Sequence, residues 1–112
     1  MYEVFGPLCV ALTKTDDVSD HIFRLFLMVL PVTEQISVAY MLKQRNYAYE
    51  EPDEVFIQFQ DRLIEQDRVM VENQKPELLP LDLQAELHLK CDRLSIAYRR
   101  RLRELGVTFG TA

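Results

Sequence analysis

The sequence predicts an α+β fold in which an antiparallel sheet from the first half of the chain packs on a long helix from the second half. Three observations support this prediction. Residues 1–49 hold short apolar stretches separated by turn residues, which is typical of antiparallel strands with short connections. Residues 50–75 carry apolar side chains at helical spacing, and residues 92–106 do so again after an extended segment over 76–91. The 112 residues suit one domain or a part of a larger one.

The strand region contains three apolar stretches. The first covers residues 2–13 and is interrupted by Gly6, followed by proline, which predicts a bulge or an edge position. The second, residues 22–30, is almost continuously apolar, as expected for a strand buried on both faces. Residues 36–42 are a third candidate strand, for which a short helix is an alternative. Short connections between these stretches predict an antiparallel meander.

The long helix is predicted over residues 52–74. Pro52 stands among acidic residues, and both a proline and negative charge suit the first turn of a helix. Pro76 ends the helix, because the residue before a proline disfavours the α conformation. Within the extended segment, residues 86–90 are predicted as a short strand.

The last helix is predicted to begin after Asp92 as its N-cap and to end at Gly106. At 100° per residue, Arg101 falls near the middle of the apolar side of this helix. The expected arrangement is a long side chain that reaches solvent, and docking to an acidic partner is the alternative.

The composition excludes several classes of protein. A formal net charge of -5 argues against a nucleic-acid-binding protein. The longest apolar stretch, residues 25–32, cannot span a bilayer, and no export signal is visible. We therefore expect a cytoplasmic protein with no membrane partner. The acidic block over 50–67 and the basic block over 90–103 are expected to face solvent, although they could also meet across an interface.

One carboxylate lies where the pattern predicts apolar side chains. On the long helix, Asp67 falls about 20° from Phe56, within an apolar stripe. The other members of that stripe are Phe59, Leu63, Met70 and Val71. An ionised carboxylate on a buried face is costly unless it is paired or bound to a metal. Asp67 therefore either contacts an internal cation, a histidine or a capping amide, or serves as a metal ligand.

The second half of the chain resembles the C-terminal end of Rieske non-haem iron oxygenases, above all the oxygenase subunits of vanillate O-demethylase and phenoxybenzoate dioxygenase. The resemblance rests on EQDRVMVENQKPE at 65–77, LLPLDL at 78–83, ELHL at 86–89 and DRLSIAYRRRLRELG at 92–106. RNY at 45–47 and PDE at 52–54 extend it upstream. It implies that the chain is part of a helix-grip (START/Bet v1-like) catalytic domain, in which a curved antiparallel sheet wraps around a long helix.

The resemblance also implies a site and a reaction. Asp67 matches the carboxylate that completes a mononuclear Fe(II) site with two histidines, and a Rieske [2Fe–2S] cluster in an N-terminal domain supplies electrons. The implied reaction is NAD(P)H-driven oxygenation or O-demethylation of an aromatic compound by a monooxygenase or dioxygenase. The implied partners are a reductase or ferredoxin and further copies of the subunit. Phe56, Phe59, Leu63 and Met70 are weak candidates for the substrate pocket.

The other functional residues of these oxygenases are missing from the sequence. Neither Cys9 nor Cys91 stands in a C-x-H or C-x-x-H motif, and both are expected to be plain thiols. His21 and His88 are expected to be a surface and a structural residue, not iron ligands. We therefore expect an expressed domain, a truncated reading frame or a split gene product that binds no cofactor and is inactive alone. The alternatives are a non-enzymatic helix-grip module for an apolar ligand and an oligomerisation module.

Overall fold

The computed structural model describes residues 1–112 and has one antiparallel sheet. Its strands are β1 (Tyr2–Gly6), β2 (Cys9–Thr15), β3 (Ile22–Pro31) and β4 (Ser37–Arg45). They follow one another in the order β1-β2-β3-β4, and each pairs with the next in antiparallel register. The α+β class and the meander are therefore confirmed, and the strand alternative for the third apolar stretch is the correct one.

The first apolar stretch forms two strands instead of one, and the prediction of a bulge or an edge position near Gly6 is confirmed, because β1 is an edge strand and its pairing with β2 is irregular there. The chain turns back at Pro7 and Leu8, and Gly6 then pairs with Cys9 after a shift of register that follows Val4. A proline has no backbone N–H to donate to a strand ladder, which is why the strand ends here.

The sheet has two faces of different character. Alternate residues such as Val10, Leu12, Leu25 and Leu27 lie on the inner face, towards the helices. The outer face also carries apolar side chains, which remain largely exposed: Phe5, Ile22, Met28, Leu30, Val38, Tyr40 and Leu42. The expectation that β3 is buried on both faces is therefore wrong, because no second layer of the chain covers the outer face.

Two helices follow the sheet. α1 (Asp53–Glu72) has 20 residues and is about 30 Å long, close to the predicted span. α2 (Arg93–Glu104) follows a single 3-10 turn at Lys90–Asp92. The predicted strand over 86–90 is absent, and the β-type pairing of the extended segment is one parallel bridge between Leu79 and Thr111.

The ends of α2 agree with the prediction in position. Gly106 follows the helix with φ +66°, the left-handed conformation that glycine adopts without strain. Asp92 precedes the helix, but its carboxylate makes no cap bond to α2. Its Oδ2 instead accepts a 2.7 Å hydrogen bond from the Leu89 backbone N–H and so closes the 3-10 turn.

Arg101 of α2 reaches solvent, as expected, although it is another arginine of this helix that the chain covers. Arg99, not Arg101, is the buried arginine, and it lies on the same side as the buried Leu102. Arg101 is exposed and pairs with Glu104 at 3.0 Å. On the apolar side expected around Arg101, Leu102 is buried, whereas Leu94 and Leu105 are 44% and 46% exposed.

The long charged segments do not meet. None of the ion pairs of the chain joins the acidic block over 50–67 to the basic block over 90–103. Neither helix is apolar over a length that could cross a membrane.

Candidate functional site

An open cavity of about 770 Å³ lies between the inner face of the sheet and α1. Binding sites for small molecules span about 300–1,000 Å³, so the cavity is large enough for a substituted aromatic ring. Its apolar wall comes from both layers and includes Leu12, Phe23, Leu25, Tyr47, Phe56, Phe59 and Leu63. Its polar wall includes Lys14, Asp16, His21, Lys43, Arg62 and Asp67.

Arg45 fixes the beginning of α1 against the end of β4. Its guanidinium donates to the carbonyl oxygens of Tyr47 (2.6 Å) and Ala48 and to Oδ1 of Asp53 (2.9 Å). It also lies 4.1 Å from the ring centroid of Phe56, and the Tyr47 ring meets the Phe56 ring edge-on at 6.4 Å. These contacts hold Phe56 in the wall of the cavity.

Asp67 lies three helical turns after Phe56 on α1, on the wall of the same cavity. Its side chain is exposed, and its carboxylate takes part in none of the hydrogen bonds or ion pairs within the chain. The helical neighbours Met70 and Val71 are 74% and 72% exposed. The apolar stripe therefore does not bury Asp67, because the four strands do not cover this end of α1.

The candidate pocket residues divide into two groups. Phe56, Phe59 and Leu63 line the cavity together with Asp67. Met70 does not line it and points its side chain into solvent. Three of the four side chains thus share one wall, and they are spaced along α1 so that they face the sheet.

The chain does not assemble a complete metal site. His21 lines the cavity and stacks on Tyr47 with 4.7 Å between ring centroids, but His88 does not line it. No group of three or more His, Cys, Asp or Glu side chains comes close enough to hold a metal. Cys9 is half-buried and Cys91 exposed, and both are free thiols. The residues present fit one ligand position of a mononuclear iron site, and they do not fit an iron–sulfur cluster.

Lys43 is a cavity residue that the sequence prediction missed. Its Nζ donates a 2.5 Å hydrogen bond to the Phe56 carbonyl oxygen and lies 5.9 Å from the centroid of the Phe23 ring. Burial lowers the pKa of this ammonium below its usual 10.5, and the negative charge of Asp61 opposes that shift. The sequence feature that could have identified Lys43 is the strand period of two. Because β4 extends past residue 42, this period places Lys43 on the same face of the sheet as Met41.

A separate, smaller cavity of about 370 Å³ lies between the β1–β2 hairpin and α2, and another of about 530 Å³ adjoins Lys43, Arg45 and Phe56. The wall of the cavity beside α2 is mostly apolar and includes Val4, Leu27, Leu94 and Tyr98. The Tyr98 hydroxyl donates to the Pro7 carbonyl oxygen, and burial raises the pKa of this phenol above its usual 10.0. The bond ties α2 to the hairpin turn.

Comparison with known proteins identifies the family. The vanillate O-demethylase oxygenase C-terminal domain matches residues 2–108. A probable methylxanthine N7-demethylase, NdmC of Pseudomonas sp. (strain TJI-51), is 34% identical over 99% of this chain and 39% of its own length. The chain thus spans about two-fifths of the curated relative it matches. Both likenesses confirm the resemblance seen in the second half of the sequence and extend it over the strands, and the chain belongs to the vanillate O-demethylase oxygenase C-terminal domain family.

Proposed function

We propose that this chain forms the substrate-binding part of the catalytic domain of a Rieske-type oxygenase component that hydroxylates or demethylates an aromatic compound. Asp67 is its contribution to a mononuclear Fe(II) site, and the histidine ligands and the Rieske [2Fe–2S] cluster come from other parts of the full-length protein. The name of the relative describes removal of an N-methyl group, and the family name describes removal of an O-methyl group. Alone, the chain is expected to be inactive.

One observation carries this proposal: the Asp67 carboxylate has no partner within the chain and lies on the wall of an aromatic-lined cavity. A carboxylate without a partner is available as a metal ligand. A wall of aromatic side chains suits a flat apolar substrate, because stacked and edge-on ring contacts stabilise it beyond simple burial. The family match covers α1, which carries both Asp67 and the aromatic side chains of the cavity wall, and so supports the proposal.

The residues of the chain have separate tasks in this proposal. Phe56, Phe59 and Leu63 bind the aromatic ring and exclude water from it, and the Arg45 contacts keep the first turns of α1 in place. When bound, Fe(II) supplies the activation of O₂, and the cluster supplies electrons from a reductase or ferredoxin. The carboxylate of Asp67 offsets part of the metal charge.

The test uses the full-length oxygenase that contains this domain. Asp67→Ala is expected to remove about one iron per subunit, the mononuclear one, and to abolish turnover, because a facial triad needs its carboxylate. The visible and paramagnetic resonance spectra of the Rieske cluster should remain unchanged. Iron content is measured by elemental analysis.

Glu65→Ala is the matched control, since Glu65 is an exposed carboxylate of the same helix that pairs with Arg68 at 3.2 Å. It should keep the iron content and turnover of the wild type. Full iron content and turnover in Asp67→Ala would overturn the proposed ligand role.

A second candidate function, self-association, is favoured by the exposed apolar outer face of the sheet. Apolar surface of this extent is uncommon on monomers and typical of contact surfaces between proteins. The outer-face residues do not line the large cavity, so association through them leaves the candidate substrate site free.

A further inference from the structure

α2 carries a concentration of positive charge that is unusual for this acidic chain. The helix has five arginines and one glutamate, although the net charge of the whole chain is -5. Arg93 and Arg100 point in directions that differ by only about 20°, and both are exposed. The buried Leu102 lies on the opposite side of the helix. We call the surface formed by Arg93, Ala97 and Arg100 the basic face.

The charges of the basic face have no partners within the chain. Neither Arg93 nor Arg100 takes part in an ion pair. The arginines on either side of the face, Arg101 and Arg103, each have an acceptor. Arg93 is also the first residue of α2, where the helix dipole favours negative charge. The stability of the helix itself therefore does not explain the charge at this position.

α1 carries a matching pair of free carboxylates. Glu54 and Asp61 are exposed, and neither forms an ion pair. The charge of Asp61 acts on Lys43 only from beyond ion-pair distance. The helix dipole accounts for Glu54 in the first turn, but it does not account for Asp61 in the middle of the helix. Ile57, 51% exposed, lies between the two carboxylates on the same side. We call the surface formed by Glu54, Ile57 and Asp61 the acidic face.

The two faces are complementary in spacing as well as in charge. In each face the charged residues are seven positions apart, about 10 Å along the helix axis. When the helices lie side by side, two arginines can therefore meet two carboxylates at the same time. The short side chain of Ala97 leaves room for Ile57 between them. Within one chain the faces do not meet, because no ion pair joins them, so the partner is another molecule.

We propose that the basic face of α2 binds the acidic face of α1 on a second copy of this chain. The two contacting surfaces differ, so copies bind either reciprocally, as a dimer with two such contacts, or head to tail, as a ring. Exposed ion pairs add little affinity each, and their main effect is to fix the orientation and register of the two helices. No residue of either face lines the large cavity, so the inference does not depend on the proposed substrate site.

The test exchanges the charges of the two faces in a Leu42→Lys background, in which the outer face of the sheet no longer supports association. The α2 variant adds Arg93→Glu and Arg100→Glu, and the α1 variant adds Glu54→Lys and Asp61→Lys. Each variant alone has two faces of like charge, so its dissociation constant should rise about tenfold or more. Mixing the two variants should restore the dissociation constant of the background to within about threefold, because every face then meets an opposite charge. Neither variant has a net positive charge, so attraction between opposite net charges does not explain such a recovery.

Association is measured by two-dimensional amide NMR, with the ¹⁵N-labelled α2 variant titrated with the unlabelled α1 variant. The amide signals of Ala97 and Ile57, one in each face, should shift. Raising the ionic strength from about 0.05 M to about 0.5 M should weaken the association about tenfold, because salt screens exposed charges. Asp17→Lys with Glu34→Lys is the control: it changes the net charge as the α1 variant does, in exposed turns, and should keep the association of the background.

The dispersion of the amide spectrum verifies that each variant is folded. If the α1 variant does not fold, the labelled α2 variant is titrated with the background protein instead. Its unchanged acidic face then meets an unchanged basic face, so its Ile57 signal should shift and its Ala97 signal should not.

Each outcome decides the inference. Loss of association in the single variants and recovery in the mixture support the contact between α1 and α2. Association of the α2 variant alone that equals that of the background overturns it, and so does a mixture without recovery. Absence of any association in the background and in the mixture overturns it as well. None of these results bears on the iron content of Asp67→Ala, which tests the metal-ligand proposal separately.

Discussion

Arg99 occupies a position of α2 where amphipathic helices usually carry an apolar residue. It is 8% exposed, and its guanidinium contacts the carboxylate of Glu86 in the extended segment. The pair therefore links α2 to the extended segment over 76–91, which has little regular backbone hydrogen bonding. Removing one partner of a covered ion pair leaves the other charge desolvated, which costs more than the pair itself contributes.

We predict that Glu86→Gln lowers the free energy of unfolding by about 2 kcal/mol, because the Arg99 charge then stays covered without a carboxylate. Chemical denaturation of the chain measures this value. Glu104→Gln is the matched control, since Glu104 pairs with Arg101 at the surface, and it should change stability by less than about 0.5 kcal/mol. Equal effects of the two substitutions would show that the Arg99–Glu86 pair has no special role.

Among the structural elements, α1 and α2 are attached to the sheet in different ways. α1 is held near its beginning by the Arg45 contacts and by the Lys43 bond to the Phe56 carbonyl oxygen. Its last turns, with Val71 72% exposed, extend beyond the sheet. α2 is attached by the Tyr98 hydroxyl, which reaches the Pro7 carbonyl oxygen in the first turn of the chain.

The bond from α2 to the hairpin predicts a pH dependence. Because burial raises the pKa of folded Tyr98 above 10.0, its contribution to stability is fully present below the pKa of the unfolded chain and is lost as the pH rises through the folded pKa. We predict that Tyr98→Phe is about 1 kcal/mol less stable than the wild type near neutral pH. This difference should shrink above about pH 10.

Denaturation curves at several pH values measure that difference. Tyr2→Phe is the control, because Tyr2 is 61% exposed, and its curve should follow that of the wild type throughout. A difference between Tyr98→Phe and the wild type that stays constant with pH would contradict the assignment of this titration to Tyr98.

As a whole, the molecule is open. Its accessible surface is 9035 Å², whereas a compact monomer of this mass exposes about 6,400 Å². Its radius of gyration is 16.3 Å, compared with about 13 Å for a compact domain of this length. Much of the additional surface is apolar, on the outer face of the sheet and the last turns of α1. Such surface gains free energy when another protein surface covers it.

We predict that the chain self-associates through the outer face, with a sedimentation coefficient that rises with protein concentration. Leu42, 54% exposed on this face, is a suitable position for a test. Leu42→Lys should weaken association about tenfold or more, because a charge replaces a buried leucine in the contact. Val18→Lys, in an exposed turn, should leave association unchanged. A concentration-independent monomer would contradict the prediction.

The sequence by itself determined the class of the fold, the succession of antiparallel strands and then helices, and the helix that carries Asp67. These follow from local rules: strand and helix periods, turn residues, and a proline or glycine at some boundaries, such as Pro52 before α1 and Gly106 after α2. The predicted span of α1 differs from the observed one by no more than two residues at either end. The motifs of the second half also identified the family, as the comparison confirmed.

Only the tertiary structure decided which side chains are covered and which polar groups lack partners. Periodicity gives the relative direction of two side chains, but it does not show whether another layer lies above them. For that reason Asp67 is exposed despite its apolar neighbours, and Arg99 rather than Arg101 is buried. The place of Lys43 on the cavity wall was also decided by the tertiary structure. Its hydrogen bond to the Phe56 carbonyl oxygen depends on a contact between a strand and a helix that no local pattern encodes.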